Sequence, residues 1–166
     1  MPAKKSPPAR ASKSKLSLAR VFDAPRALVF AAWTQPQHLK QWSAPKGFKI
    51  PVSEGELRPN GPWRAVMVMP DGTQLALSGK YTKIIQDELL QFTHRWDGDP
   101  GPETVVTVRF ADAPGGKTRL KFEQTGFNSV ESRDGHGGGW QECFERLEAL
   151  LGKLTAKAVK NVRKRK

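Results

Sequence analysis

The stretch 137–154, GGGWQECFERLEALLGKL, constrains the fold of this chain more than any other. Trp140, Phe144, Leu147, Leu151 and Leu154 recur at steps of four, three, four and three, which places them on one face of an α-helix. Cys143 and Leu150 widen that face. Gln141, Glu142, Glu145, Arg146 and Glu148 take the other side, with Glu142 and Arg146 at a favourable i,i+4 spacing. The three glycines ahead of Trp140 are weak helix formers that let a chain turn sharply, so the helix is expected from about residue 138 to 153. A stripe this long cannot be buried alone and needs a partner surface.

The sequence upstream supplies strands. Residues 16–23 alternate Leu16, Leu18, Arg20 and Phe22 against Ser17, Ala19 and Val21. Asp23-Ala24-Pro25 then gives helix-start chemistry ahead of Ala27, Leu28, Phe30, Ala31 and Trp33. Gln35-Pro36 interrupts that helix, and a second helical turn from His38 to Trp42 closes at Pro45-Lys46-Gly47. From Phe48 the period changes to two, with strands expected at about 48–57, 63–69, 74–85, 89–96, 103–111 and 118–124. Turn chemistry separates them, as at Pro59-Asn60-Gly61, Pro70-Asp71-Gly72 and Ala113-Pro114-Gly115-Gly116. Connections this short favour antiparallel hairpins. The expected fold class is therefore α+β: a curved antiparallel sheet of about seven strands gripping one long C-terminal helix, with two short helices after the first strand.

A length of 166 residues suits one domain with a single sizeable core. The net charge of +12 is confined to the ends. Five cations and no acid fall in residues 1–15, seven cations and no acid in 152–166, and the remaining basic and acidic side chains balance. The division expected is a disordered basic tail at 1–15, a domain at 16–151, and a helix end with a basic tail at 152–166. The single cysteine excludes an intramolecular disulfide and fits a reducing compartment. No apolar run approaches a membrane span of roughly 18 residues. The N-terminus lacks the apolar core of a secretory signal, and Pro2, Pro7 and Pro8 spoil an amphipathic transit helix. A soluble, cytoplasmic protein that meets no membrane is expected.

Arg20-Val-Phe-Asp-Ala-Pro25, Val29-Phe30 through Trp33, Pro36 and Trp42 resemble the opening of the SRPBCC superfamily, the START-like helix-grip domains. Pro70-Asp-Gly72, Gly79-Lys-Tyr81 and Leu90-Gln-Phe-Thr93 fit its middle strands. Arg133-Asp-Gly-His136, Gly139-Trp140 and Leu147, Leu150, Leu151 resemble its closing helix. The branch most similar is the activator of heat-shock protein 90 ATPase homologue family, and the likeness covers about residues 16–151. Members often carry paired tryptophans before the Pro-x-Gly turn, whereas Gln41-Trp42-Ser43-Ala44 precedes Pro45 here. The resemblance implies a helix-grip fold whose concave sheet often retains a pocket. It leaves function open among ligand carriers, cyclases, hormone receptors and chaperone partners, and the family name adds a stress response to the expectations.

Catalytic chemistry finds little support in the residues. His38, His94, His136 and Cys143 lack metal-ligand spacing, so no metal is expected, and His136 reads as a polar contact at the entrance to the long helix. Cys143 lies on the apolar helix face, where a thiol behaves as a small hydrophobe. The glycines form neither G-x-G-x-x-G nor a P-loop, and no cofactor is expected. Glu54, Glu56 and Glu123 are not brought together as an acid/base pair. The aromatic set is more informative. Trp63, Ala65, Met67 and Met69 share one strand face, as do Leu90, Phe92, His94 and Trp96. These side chains either fill the core or form an adaptable apolar wall with a polar anchor at His94 or Arg64. The candidate cavity set is Trp33, Trp42, Trp63, Met67, Met69, Phe92, His94, Trp96, Trp140 and Phe144.

Three classes of function follow. One is a non-catalytic binder of a small hydrophobic or aromatic molecule; the second is an interaction module acting on a chaperone. The third is a cyclase or dehydratase, against which the missing acid/base pair counts. A buried cavity lined by Met67, Phe92 and Trp140 favours the first over the second, and a solid core with an exposed apolar patch reverses that order. The tails carry an accessory expectation. Lys4, Lys5, Arg10, Lys160, Arg163, Lys164, Arg165 and Lys166 either serve solubility or attract polyanions. Without aromatic residues for stacking, nucleic-acid binding through them is expected to be weak and non-specific.

Overall fold

The computed structural model describes residues 15–99 and 101–165, with side chains described as far as Val159. Lys4, Lys5 and Arg10 of the first tail, and the side chains of Lys160, Arg163, Lys164, Arg165 and Lys166, lie outside the described residues. In chain order the elements are β1 (Lys15–Phe22), α1 (Arg26–Thr34), α2 (Pro36–Trp42), β2 (Lys49–Gly55) and β3 (Pro62–Val68). Then come β4 (Gln74–Ile85), β5 (Leu89–Trp96), β6 (Thr104–Ala113), β7 (Lys117–Thr125) and α3 (Val130–Arg165).

One seven-stranded antiparallel sheet runs in the order β1-β7-β6-β5-β4-β3-β2. β1 forms one edge, and α1 and α2 carry the chain to the opposite edge, where β2 starts a meander that returns strand by strand. β1 finally receives β7, with Lys15 opposite Thr125 and Phe22 opposite Thr118. Pairing slips between Lys49 and Val52 and between Tyr81 and Lys83, and such bulges bend and twist a sheet. α3 lies against the inward face. Phe144, 1 % exposed, meets Phe22 of β1, Trp33 of α1 and Phe122 of β7 at ring-centroid distances of 6.2, 6.2 and 5.7 Å. Leu147 and Leu151 continue the buried stripe, while Trp140 is only half-buried.

The start of α3 differs from the sequence expectation. The helix begins at Val130, ahead of residue 138, and runs through Gly135, Gly137, Gly138 and Gly139. Ser129 explains the earlier start. Its hydroxyl accepts the Ser132 N–H at 3.0 Å, its carbonyl accepts the Arg133 N–H at 3.2 Å, and Glu131 puts a carboxylate into the first turn. Each helical glycine costs on the order of 1 kcal/mol against alanine, yet Gly137 is buried and a Cβ there would stand 3.1 Å from Leu16 Cδ1. Its smallness lets the helix approach β1.

Two other local expectations shift. Pro25 itself, rather than Asp23 or Ala24 before it, is the N-cap residue of α1; its carbonyl accepts the Leu28 and Val29 N–H groups at 3.0 and 3.1 Å, without a side-chain cap. Arg146 reaches the loop between α2 and β2, donating through Nη1 to the carbonyls of Ala44, Pro45 and Phe48 at 2.8, 3.0 and 3.2 Å. Glu142 accepts the Lys46 N–H at 3.0 Å, and Glu145 lies 3.0 Å from Lys46 Nζ. A guanidinium on loop carbonyls satisfies groups that would otherwise lack partners, whereas an exposed i,i+4 pair contributes only a few tenths of a kcal/mol.

Phe144 joins three elements far apart in sequence, so its truncation tests the packing directly. Phe144→Ala should lower the unfolding free energy by about 3–5 kcal/mol in urea denaturation. A loss under about 1 kcal/mol would show that the rings around it, not the helix, hold the core.

Candidate functional site

The rings do not fill the space under the first half of α3. A cavity of about 460 Å³ lies between that segment and the curved sheet. α1 and α2 contribute Trp33, Leu39 and Trp42, and the loop after α2 adds Pro45 and Phe48. β2 gives Ile50 and Ser53, β3 gives Trp63, Ala65 and Met67, and β4 gives Leu75, Leu77 and Tyr81. Phe92, His94 and Trp96 come from β5; Ser132, Gly135, His136, Gly139, Trp140 and Cys143 come from α3. No lysine, arginine, aspartate or glutamate is among the lining residues.

Strand alternation explains the wall. Trp63, Ala65 and Met67 are every second residue of β3, as Phe92, His94 and Trp96 are of β5. Gly79 of β4 lies between these strands, where a Cβ would overlap the Thr93 carbonyl and the Trp63 indole nitrogen. Glycine therefore lets the Trp63 ring reach across β4 and donate to the Thr93 carbonyl at 3.0 Å. The buried Gln124 links helix to sheet. Its carbonyl oxygen accepts the Trp140 indole N–H at 2.9 Å, and its amide donates to Thr104 Oγ1 at 2.9 Å. Thr104 Oγ1 in turn donates to the His94 carbonyl at 3.1 Å. This chain satisfies a fully buried amide and fixes the Trp140 ring beside the cavity.

Eight of the ten expected cavity residues line it: Trp33, Trp42, Trp63, Met67, Phe92, His94, Trp96 and Trp140. Phe144 sits in the solid core one turn further along α3. Met69 lies past the end of β3, where its carbonyl accepts the Gly72 N–H in the turn before β4, and it does not border the cavity. Arg64 is exposed on the other strand face, with Glu54 at 3.8 Å. The expected cavity set omitted Gly139, His136 and Cys143; Gly139 and Cys143 lie beside Trp140 within the expected helix, and His136 joins them because the helix starts at Val130. Gln124 was missed as well, although Thr118, Leu120, Phe122 and Gln124 alternate inward and Gln124 is the large polar side chain of that series.

His136 has a defined tautomer. The Trp96 indole N–H donates to its Nε2 at 3.1 Å, so Nδ1 carries the proton and donates to the Ser132 carbonyl at 2.7 Å. The His94 and His136 rings lie 6.0 Å apart, but among the described residues no three His, Cys, Asp or Glu side chains come together as a metal site. Burial pushes the Cys143 thiol up to about 12, leaving it protonated and a poor nucleophile. Burial also raises the Tyr81 hydroxyl. The arrangement can enclose a molecule of low polarity and offer it a few hydrogen-bonding groups.

A family model described as Activator of Hsp90 ATPase homolog 1-like protein matches residues 23–152. The chain belongs to that family. Curated proteins yield no match to it in sequence. Among solved structures, protein CV1439 of Chromobacterium violaceum is 27% identical at a TM-score of 0.78, covering 83% of this chain and 96% of its own. Protein NE0264 of Nitrosomonas europaea is 27% identical at 0.75, covering 86% and 97%. The AHSA1 protein of Silicibacter pomeroyi is 28% identical at 0.74, covering 84% and 98%. Each likeness covers more than four fifths of this chain, in keeping with the SRPBCC helix-grip architecture. Among the described residues of this family member, no helix is long and apolar enough to cross a membrane.

His94 has the site's most perturbed imidazole. Burial, reinforced by the nearby His136, lowers it to about 4, against a weaker opposing pull from its own backbone carbonyl. The unfolded chain takes up this proton near pH 6.5, the folded chain only near 4. Between those values the unfolded state binds more protons, so stability is complete above about pH 6.5 and is lost as pH falls towards 4. The span corresponds to about 3 kcal/mol. His94→Gln in this family member should remove that share of acid destabilisation. Urea unfolding from neutral pH to about pH 4 should shift in the variant's favour by up to about 3 kcal/mol, and parallel curves would show that His94 is hydrated in the folded state.

Proposed function

We propose that this domain is a non-catalytic binder of a small hydrophobic or aromatic molecule, held in the cavity between α3 and the sheet. The observation that carries the reading is the cavity itself, about 460 Å³ walled by tryptophan, phenylalanine, methionine and leucine with no charged side chain. Such a volume is within the range of small-ligand sites, and burial of apolar ligand surface contributes roughly 25 cal/mol per Å². The reading is further supported by the protonated thiol of Cys143 and by a lining that offers no carboxylate as a general acid or base. A chaperone-directed role, which the family description brings to mind, has less support. Among the described residues, the exposed large apolar side chains Val21, Leu57, Ile85, Val130 and Val159 are scattered over β1, the loop after β2, the end of β4 and both halves of α3.

Gly139 provides a test that separates cavity from fold. A Cβ there would meet only Pro45 Cγ, at an ordinary 3.7 Å, so Gly139→Leu can extend into the cavity without displacing backbone. The variant should be as stable as the parent or up to about 1 kcal/mol more stable through helix propensity. Nile red, an uncharged aromatic dye, should brighten and shift to the blue with the parent protein and quench its tryptophan emission. Binding should weaken at least about tenfold in Gly139→Leu. Equal binding by both proteins would place the dye elsewhere, and no binding by the parent would remove the basis for the proposal.

A further inference from the structure

His94 is the one ring of its cluster whose nitrogens the protein leaves unserved. It is 5 % exposed, lines the cavity, and has no hydrogen bond to its side chain among the described residues. Four rings surround it: Trp63 at 6.0 Å, Trp96 at 5.5 Å, His136 at 6.0 Å and Trp140 at 6.4 Å between centroids. Every nitrogen on those four is committed elsewhere. Trp63 donates to the Thr93 carbonyl, Trp96 to His136, Trp140 to Gln124, and His136 to the Ser132 carbonyl. Buried polar groups almost always find partners, and the His94 nitrogens, unlike the fully enclosed Trp33 Nε1, stay open to the cavity, where a bound molecule can supply one.

From this juxtaposition we propose that the cavity selects an uncharged aromatic molecule bearing a hydroxyl group, which donates its hydrogen bond to the open ring nitrogen of His94. The inference rests on the reading of the cavity as a ligand site and specifies the chemistry that site prefers. A neutral imidazole presents one N–H and one bare nitrogen. Among the described residues no hydrogen bond fixes which ring nitrogen carries the proton, and a hydroxyl, which both donates and accepts, can serve the bare nitrogen whichever one it is. An ether or ketone offers that nitrogen no donor. A carboxylate offers none either, and would enter a cavity without a cation in its lining; an ammonium would enter one without an anion. A phenol or an aromatic alcohol satisfies the imidazole and leaves the rest of the molecule to the aromatic wall.

Calorimetric titration of the unaltered protein with naphthol, methoxynaphthalene and naphthoate tests the inference, since the three share one ring system. Naphthol should bind about tenfold tighter than methoxynaphthalene, the worth of one buried hydrogen bond, and naphthoate should be the weakest. In His94→Phe the naphthol and methoxynaphthalene affinities should become equal. The His94 ring-nitrogen resonance of the unaltered protein should move on adding naphthol and not on adding methoxynaphthalene, a readout that does not depend on the variant folding. Equal affinities for naphthol and methoxynaphthalene in the parent, or tightest binding of naphthoate, would overturn the hydroxyl preference while leaving the cavity reading intact. Failure of all three, together with failure of Nile red, would overturn both.

Discussion

The meeting of Phe144 with Phe22, Trp33 and Phe122 is the contact on which the remaining architecture depends. It joins α3 to the first strand, the first helix and the last strand at one point. Beyond it, Leu147, Leu150 and Leu151 pack into a solid core. Before it, between Ser132 and Cys143, the same helix faces a space it does not fill. One amphipathic helix therefore has two tasks divided along its length: the second part secures the sheet and the first part roofs a cavity. The firm half allows the other half to remain hollow, because hydrophobic burial there need not be complete for the domain to be stable.

Trp140 stands at that division. It stacks on Trp33 with centroids 5.9 Å apart, packs on Phe122 at 4.7 Å, and is tied through Gln124 and Thr104 to the backbone of β5. The polar chain ends on the carbonyl of His94, so the backbone of this residue is anchored while its ring nitrogens are not used. Arg146, Glu142 and Glu145 fix the opposite rim by holding the loop after α2. Cavity walls supported on both sides can keep their shape without a ligand, which lowers the ordering cost of binding one.

Much of this was legible in the residues. The period-two segments, the turn dipeptides and the stripe from Trp140 to Leu154 carry the whole element order, because alternation and helical spacing are local and strong signals. Six cavity residues, Trp63, Met67, Phe92, His94, Trp96 and Trp140, followed from face assignment, and Trp33 and Trp42 from their aromatic character. The misses have separate causes. Four glycines between residues 135 and 139 outweigh a single serine in any propensity argument, so the cap at Ser129 was passed over and the first two turns of α3 were lost with it. His136 then had no helix face to be assigned to, while Gly139 and Cys143, inside the expected helix, were not recognised as facing a cavity. Met69 failed for a different reason: alternation places it with Met67, but β3 ends at Val68 and the turn to β4 takes over. Side-chain commitments across elements, such as Arg146 to three carbonyls, are tertiary facts without a local pattern.

The pairing of β1 with β7 also governs the order in which the protein can assemble. Lys15 faces Thr125, so the first strand made must wait for the last before it has a neighbour in the sheet. The meander from β2 to β7 closes hairpin by hairpin through short loops and can form early, since each step spans few residues. The edge that β1 completes, and the Phe22 side of the core with it, belongs to the late, high-contact-order stage of folding. Until then the chain carries an unmatched strand with an apolar face, the kind of segment that recruits foreign partners. In a domain built this way, the step that completes the core is also the one that removes its exposed strand.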